Sequence, residues 1–500
     1  MTYVSPEILS EEAKKIVVDY ITRIDDLKPK ERTKIPSQEM PTQAPEIRIH
    51  NLDEVALGYS MEQAKVEAMR CLQCVKKNCV EDCPVKIDIP RFINHVAHDE
   101  LDKAAGVIKE ASLLPSICGR VCPQESQCQS NCTVGKALKD VDKSVAIGRL
   151  ERFIADWERS TGKIAIPEIK PETGKKVAVV GSGPAGLVVA ADCRREGHQV
   201  TIFEAFHKLG GVLRYGIPEF RLPNEIIDRE IETLRLMGVE IKTNFVVGRT
   251  RKLTDLLNKD GYDAIFVGTG AGLPIFMGIE GENFVGVFSA NEYLTRANLM
   301  RAFEKTKADT PIYPSKKVAV LGGGNVAMDS ARMAKRLGAE EVYVVYRRTE
   351  NEMPARKEEV AHAKEEGIKF LFLQNAKRIL GDKEGRVNAL ECLRYELGEP
   401  DQSGRRRPVE IPNSEFTLDV DTVIVAIGNG SNPLISQTTP DMQVNKRGNI
   451  IVDETQKTSV DRIFAGGDIV LGAATVILAM GEGRKAAASI NKMLADELAS

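Results

Sequence analysis

A strand, a glycine loop, a helix and a second strand are written twice in this chain. The first copy is VAVVGSGPAGLVVAADCRREGHQVTIFEA (177–205) and the second is VAVLGGGNVAMDSARMAKRLGAEEVYVVYRR (318–348). Each opens with an apolar run that lacks period-two polarity, which marks a strand buried on both faces of a parallel sheet. Two copies require two helix-covered parallel sheets, an α/β architecture. Two further short runs end in glycine, AIFVGTGAGLP (264–274) and TVIVAIGNGSNP (422–433). They read as the strands on which the chain crosses between the units, so that one unit is inserted in the other. The segment IFAGGDIVLGAATVILAMGEGRKAA (463–487) then returns to the first unit.

The loops give the units a chemistry. Gly181, Gly183 and Gly186, with Pro184 and Ala185 between them, form G-x-G-x-x-G between strand and helix, and Glu204 closes the next strand. Glycines there let a pyrophosphate approach backbone N–H groups at a helix N-terminus, whose dipole favours an anion; Glu204 would accept from ribose hydroxyls. This makes each unit a Rossmann-like dinucleotide site. Gly322, Gly324 and Ala327 repeat the loop as G-x-G-x-x-A, with Gly323, Asn325 and Val326 in it, but the acid is missing. Tyr346 stands where Glu204 stands in the first copy, and Arg347 and Arg348 follow. Guanidinium forks bind a 2′-phosphate that a carboxylate would repel, so the second loop is expected to take NADP(H). Arginines after a strand otherwise form a solvated face. The glycine ends of the crossing strands, Gly268-Thr269-Gly270 and Ile427-Gly428, complete the two candidate sites.

Ahead of both units, eight of ten cysteines fall between Cys71 and Cys132, as C-x2-C-x4-C-x3-C-P and then C-x3-C-P-x4-C-x3-C. Helical stretches surround them: one starts at Ser60, where Ser60 and Gln63 offer a capping box, and runs into Cys71, and others cover Ile89 to Glu110 and Val145 to Arg159. Residues 1–58 read as a polar extension that wraps or docks, with an amphipathic candidate at Glu11 to Leu27. Residues 161–176 read as a linker. The start has no charged-then-apolar leader and no segment is long enough to span a bilayer, so a cytoplasmic location is expected. A net charge of −3 gives no reason to expect a nucleic-acid or membrane partner. In a reducing compartment such cysteines are ligands before they are disulfides. Zinc is one reading; the recurring C-x3-C-P elements favour iron–sulfur clusters, and eight thiolates would serve two [4Fe–4S] clusters by count. Cys193 and Cys392 are isolated, so no redox pair stands beside a nucleotide loop.

The run Ala465-Gly466-Gly467-Asp468, followed by a helix from Ala474-Thr475, resembles the two-nucleotide flavoproteins of the glutathione-reductase type. That resemblance implies FAD in the first unit, with Gly467 and Asp468 at its ribityl and phosphate portion and the helix N-terminus facing the isoalloxazine. Hydride transfer between nicotinamide and flavin needs positioning, and no general acid or base is assigned.

CLQCVKKNCVEDCP, LPSICGRVCPQESQCQSNC, IGRLERFIAD, GGVLRYGIPEFRLP and RRTENEMP together resemble the small (β) subunit of NADPH-dependent glutamate synthase. They resemble still more closely the large subunit of NADH-dependent ferredoxin:NADP oxidoreductase, and dihydropyrimidine dehydrogenase shares the layout in its N-terminal part. The resemblance implies two interleaved [4Fe–4S] clusters, one held by Cys71, Cys74, Cys79 and Cys132 and the other by Cys83, Cys122, Cys128 and the carboxylate of Glu151, with Cys118 a spare. It also implies flavin contacts from Leu209, Gly210, Gly211 and Leu213 and near Arg221. The implied activity is electron transfer from NADPH through FAD and the clusters to a second subunit, or the reverse. That partner is either an NAD-binding flavoprotein, with ferredoxin as a further partner, or an FMN-containing glutamate synthase large subunit, in a hetero-oligomer. A non-catalytic cluster-binding regulator is a third reading. The expected layout is an extension (1–58), a helical iron–sulfur domain (59–165), an FAD-binding unit (175–300 and 428–500) and an NADP(H)-binding unit (310–427).

Overall fold

The apolar runs form the expected strands in a computed structural model that describes residues 3–162, 166–304, 308–400 and 404–499. Residues 163–165 of the expected linker, and residue 500 of the expected FAD-binding unit, lie outside the described residues. Lys176–Val180 and Gln199–Phe203 pair in parallel, and the first sheet runs Ile463–Ala465, Ala264–Val267, Lys176–Val180, Gln199–Phe203, Glu240–Lys242. The second sheet repeats that plan as Val287–Ser289, Thr422–Val425, Lys317–Leu321, Glu341–Tyr346, Lys369–Phe372, again all parallel. The central strands of both are covered on both faces, which is why their sequences are apolar without alternation.

The crossing segments meet each other. Leu273–Pro274 pairs antiparallel with Asn429–Gly430, and the Ile275 N–H donates to the Gly428 carbonyl at 3.1 Å. Both passages between the units thus run through one two-stranded ribbon. One boundary differs from expectation. Val287–Ser289 and the helix Ala290–Leu294 were expected in the first unit, up to residue 300, yet they pair and pack with the second sheet. This segment carries no glycine-loop signal of its own, and only its pairing with Thr422–Val425 assigns it. The second unit also carries an antiparallel sheet built from Gln374–Gly381, Val387–Pro400, Arg406–Glu410 and Phe416–Leu418.

Helices make the first third. Met61–Met69 is capped as read, Ser60 Oγ accepting from the Gln63 N–H and Gln63 Oε1 from the Ser60 N–H. The stretch Ile89 to Glu110 is two helices, Ile89–Ala97 and Leu101–Ala111, broken where Asp99 turns left-handed at φ +64°. Ile147–Ser160 presents Leu150, Glu151, Phe153 and Ile154 inward. The helical domain shares one core with the first unit, through Pro184–Arg195 and the long helix Val476–Ala499. Among the described residues, no helix is long and apolar enough to cross a membrane.

The extension locks onto the second unit. Arg48, wholly buried, donates to Glu366 at 2.9 Å and Glu365 at 2.7 Å, while the Val55 N–H donates to the Phe220 carbonyl at 2.9 Å. Around Glu366 gather Arg332 and Arg336, both stacked on the Phe220 ring at 4.7 and 4.0 Å. Arg221 donates to both oxygens of Asp329 at 2.8 and 2.7 Å and pairs with Glu359 at 3.1 Å. Arg221 was expected beside the flavin; it is instead committed to this buried network, because Asp329 and Glu359 are the nearest charges able to compensate a buried guanidinium.

Candidate functional site: two nucleotide loops and a thiol block

The first loop is built by close backbone approach. A Cβ at Gly186 would stand 2.0 Å from the Gly181 carbonyl oxygen, and one at Gly211 would stand 2.9 Å from the Gly183 Cα. Gly181 sits at φ +101° against the Gly268 carbonyl, a conformation closed to side chains. Gly183 is open above, as a phosphate-facing position needs. Leu209 and Leu213 are buried beneath, and Gly210 donates its N–H to Ser182 Oγ at 3.0 Å. Glu204 is buried and already accepts from the Ser182 N–H at 3.0 Å, the Ser182 hydroxyl at 2.5 Å and the Phe206 N–H at 2.8 Å. It therefore holds the loop in shape as well as ending the strand where a ribose would lie. Thr269 and Gly270 lie at the open end of Ala264–Val267.

Gly467, at φ +77°, packs beside Ala185. Burial pushes the Asp468 carboxyl up to about 6, and its Oδ1 accepts from the Ala474 N–H at 3.3 Å. Thr475 begins the long helix, its Oγ1 accepting from the Leu478 N–H at 3.3 Å. Tyr215 joins this site, with its hydroxyl pushed up to about 12 by burial and then by the charges of Asp468 and Glu204. Sequence patterning gave no sign of Tyr215 or Ser182.

In the second loop, Gly322 stands at φ +145° against the Ala426 carbonyl, and the Tyr346 ring covers Gly323, where a Cβ would meet it at 2.7 Å. Asn325 and Val326 start the helix Asn325–Arg336 after Gly324, and Ala327 is buried. Val326 and Ile427 are exposed around this opening, beside Gly428. The two arginines part company. Arg347 is exposed, whereas Arg348 is buried with its Nε donating to the Arg406 carbonyl at 2.7 Å. Arg348 thereby pins the hairpin strand Arg406–Glu410 beside the loop.

The thiols form two groups with different surroundings. Cys71, Cys74, Cys79 and Cys132 line one partly open pocket whose remaining wall is mostly apolar, including Ile89, Ile93, Val134 and Ile147. Cys74, Cys79 and Cys132 are partly exposed. Cys83, Cys122, Cys128 and Glu151 are all buried. Cys128 stands within electrostatic reach of Cys83, Cys122 and Glu151, and also of Cys79 from the first group. Burial pushes the thiols of Cys71 and Cys79 up to about 12 and that of Cys128 upward as well, so thiolates there require a cationic partner.

Glu151 decides the fit. It is 6% exposed, its Oε1 has no hydrogen-bond partner, and burial alone pushes its carboxyl up to about 8. A buried carboxylate with an unengaged oxygen beside three thiols is a donor set waiting for a positive centre. Among the described residues, no three His, Cys, Asp or Glu side chains gather closely enough for a single ion. A cubane cluster holds its ligands at separate corners, and the donors present fit that class of group.

The second group touches the first nucleotide unit. Cys118, expected as a spare, is buried within reach of Cys122, Glu151 and Cys83, and its Sγ lies 3.4 Å from Met480 Sδ on the long helix. Gln127, next to Cys128, donates to Thr475 Oγ1 at 3.4 Å, and Gly481 packs on the Pro84 carbonyl. These contacts could not be read from spacing, because they join residues more than 300 positions apart.

Comparison with known proteins agrees with both halves. A family model described as dihydropyrimidine dehydrogenase domain II, 4Fe-4S cluster, matches residues 48–163. One described as pyridine nucleotide-disulphide oxidoreductase matches residues 175–483. The glutamate synthase [NADPH] small chain of Escherichia coli (strain K12) is 38% identical over 448 residues, covering 88% of this chain and 93% of that one. The NADP(+)-dependent formate dehydrogenase subunit beta of Moorella thermoacetica is 41% identical over 440 residues, 83% of this chain but only 60% of that protein. FprA of Mycobacterium tuberculosis in complex with NADPH shares the fold, with a TM-score of 0.54, 19% identity and coverage of 65% of this chain and 86% of that one.

Proposed function

Because the chain belongs to the family of glutamate synthase small chains, pyridine nucleotide-disulphide oxidoreductases that carry a 4Fe-4S domain in front, we propose that it is an NADPH-linked electron-transfer subunit with FAD in the first unit and two [4Fe–4S] clusters. When bound, the flavin supplies the exchange between two-electron hydride chemistry and single electrons for the clusters. The residues provide the rest. Gly181, Gly183 and Gly186 hold a pyrophosphate at the helix N-terminus, and Gly467-Asp468 closes over the same site. Gly322 to Ala327 hold the second dinucleotide, with Arg347 free to meet a 2′-phosphate. The single observation carrying this reading is the junction of Cys118, buried, and Gln127, half-buried, with Met480 and Thr475, which ties the second thiol group to the helix that faces the flavin site.

That junction sets an order. Pro84 and Gln127, chain neighbours of Cys83 and Cys128, touch the long helix, Cys128 stands within electrostatic reach of Cys79, and the first group lines a partly open pocket. Electrons accordingly enter or leave the protein beside Cys74. The preferred identity is the large subunit of a ferredoxin:NADP oxidoreductase, on the phrases GGVLRYGIPEFRLP and RRTENEMP; the glutamate synthase small chain is the second reading, on overall identity. Co-purification of the native partner decides it. An NAD-binding flavoprotein supports the first reading and an FMN-containing glutaminase subunit the second. A cytoplasmic hetero-oligomer belongs to either.

A further inference from the structure

We infer that Arg356 couples the second nucleotide loop to the second thiol group, so that negative charge held at one is felt at the other. The inference rests on the electron-transfer reading above and adds a positioning residue and the sign of its coupling. Arg356 follows Pro354 and Ala355, a segment bonded to the loop through its backbone. The Ala355 N–H donates to the Gly323 carbonyl at 3.2 Å and the Arg356 N–H to Asn325 Oδ1 at 2.9 Å. Its side chain leaves the second unit. One guanidinium nitrogen donates to the Arg120 carbonyl at 3.0 Å and another to Gln124 Oε1 at 3.1 Å, and these two residues bracket Cys122.

Arg120 lies in the last turn of Pro115–Val121, the helix that carries Cys118 and ends at Cys122, where backbone carbonyls lack helical partners and a cation is favoured. Gln124 extends the contact. Its N–H donates to the Cys122 carbonyl at 2.9 Å, and its side chain presses on Gly148, where a Cβ would stand 2.1 Å from Nε2. Gly148 stands one turn before Glu151 on the helix Ile147–Ser160. One guanidinium thus bears on the surroundings of both Cys122 and Glu151. Arg356 is 8% exposed and its Nε has no hydrogen-bond partner, so its charge is poorly screened by water. Its counter-charges are Glu358 at 3.0 Å, which Arg149 shares at 3.4 Å, and Glu125 at 3.7 Å. A dinucleotide brings negative charge to Gly322 through Ala327, and an added electron brings it to the second thiol group. Both draw on the same buried cation, so each disfavours the other. Release of the oxidised nucleotide and arrival of an electron at the second group then favour one another, which draws electrons onward from the first unit.

The test uses the cofactor-loaded protein and 2′-phospho-ADP-ribose, which carries the pyrophosphate and the 2′-phosphate but no nicotinamide to take a hydride. Anaerobic redox titration followed by EPR, with and without the probe at a concentration shown to saturate by isothermal titration, gives the cluster midpoints. The probe should lower one midpoint by about 59 mV, the one-electron equivalent of a tenfold change in affinity. Arg356→Met and Gln124→Met, which keep the side-chain volume and remove the charge or its acceptor, should each abolish most of that shift at saturating probe. An unmoved or raised midpoint in the natural protein, or an undiminished shift in either variant, overturns the inference. Clusters that never assemble, or absorbance that NADPH does not bleach, sink the electron-transfer reading and this inference with it. Assembled clusters and a bleached flavin with no shift sink the inference alone.

Discussion

The thiol of Cys118 lies 3.4 Å from Met480 Sδ, in a buried contact between the cysteine-bearing domain and the helix that starts beside Asp468. Sulfur packed on sulfur here serves cohesion, and an unengaged donor oxygen lies within electrostatic reach on Glu151 of the neighbouring helix. Ligation falls to Glu151 and packing to Cys118 in the proposed reading. Replacing Glu151 by Ala should alter the EPR signature or iron content of one cluster while FAD content stays unchanged. Cys118→Ser should leave both clusters assembled. The opposite pair of results, measured by EPR and metal analysis on anaerobically prepared protein, exchanges the two roles.

Nucleotide choice should divide between the arginines. Arg347, exposed beside the second loop, should matter for NADPH alone: Arg347→Ala raises the KM for NADPH about 10- to 100-fold, the loss of a charge-assisted bond of about 1.5–3 kcal/mol, and leaves the KM for NADH nearly unchanged. Arg348→Ala should instead lower stability, since its guanidinium holds the Arg406 carbonyl. Steady-state kinetics with both nucleotides, set beside thermal denaturation, reads the difference. Equal effects of Arg347→Ala on the two KM values contradict the assignment.

The pair Arg221 and Asp329 should act as a clamp between the units. Removing Asp329 leaves the buried Arg221 with Glu359 as its remaining ion-pair partner, so Asp329→Ala should cost up to about 3–5 kcal/mol, while Arg221→Met combined with Asp329→Leu recovers much of it. A double-mutant cycle by chemical denaturation gives the coupling. Proteolysis at the ribbon of Leu273–Pro274 and Asn429–Gly430 should rise in the single variant and fall back in the double. Independent, additive effects would show that the pair is no clamp.

Acid should weaken the same region through His362. Burial, and then the charge of Arg332, hold its imidazole neutral well below the usual histidine range. The unfolded chain takes up that proton as pH falls through about 6.5 while the fold resists it, so this contribution is complete above about 6.5 and is lost as pH falls below it. Denaturation midpoints at pH 7 and pH 5 should converge in His362→Gln relative to the natural protein. An unchanged pH dependence would place the acid sensitivity elsewhere.

Much of this was legible in the sequence where local chemistry is sufficient. A glycine loop between a buried strand and a helix needs no tertiary context, and both loops, their sheets and the crossing runs follow from it. The capping box at Ser60 is equally local. What was not legible depends on long-range compensation. Arg221 looks like a ligand contact until Asp329 and Glu359 arrive from the other unit, and Arg347 and Arg348 look alike until a hairpin strand reaches one of them. Asp99 breaks a helix whose apolar period continues across it. The ligand role for Glu151 came from resemblance alone; its burial and orphaned oxygen supply a physical reason that no spacing contains.

The central step is the passage of electrons from a nicotinamide through the first unit into the thiol block. Anaerobic titration of the purified protein with NADPH, followed by visible absorbance and EPR together with iron and flavin analysis, tests that most directly. The expected result is about one FAD and about eight irons per chain, flavin bleaching, and the appearance of reduced-cluster EPR signals with NADPH but far less with NADH. A colourless zinc protein, or a flavin that bleaches while no cluster signal appears, would contradict it.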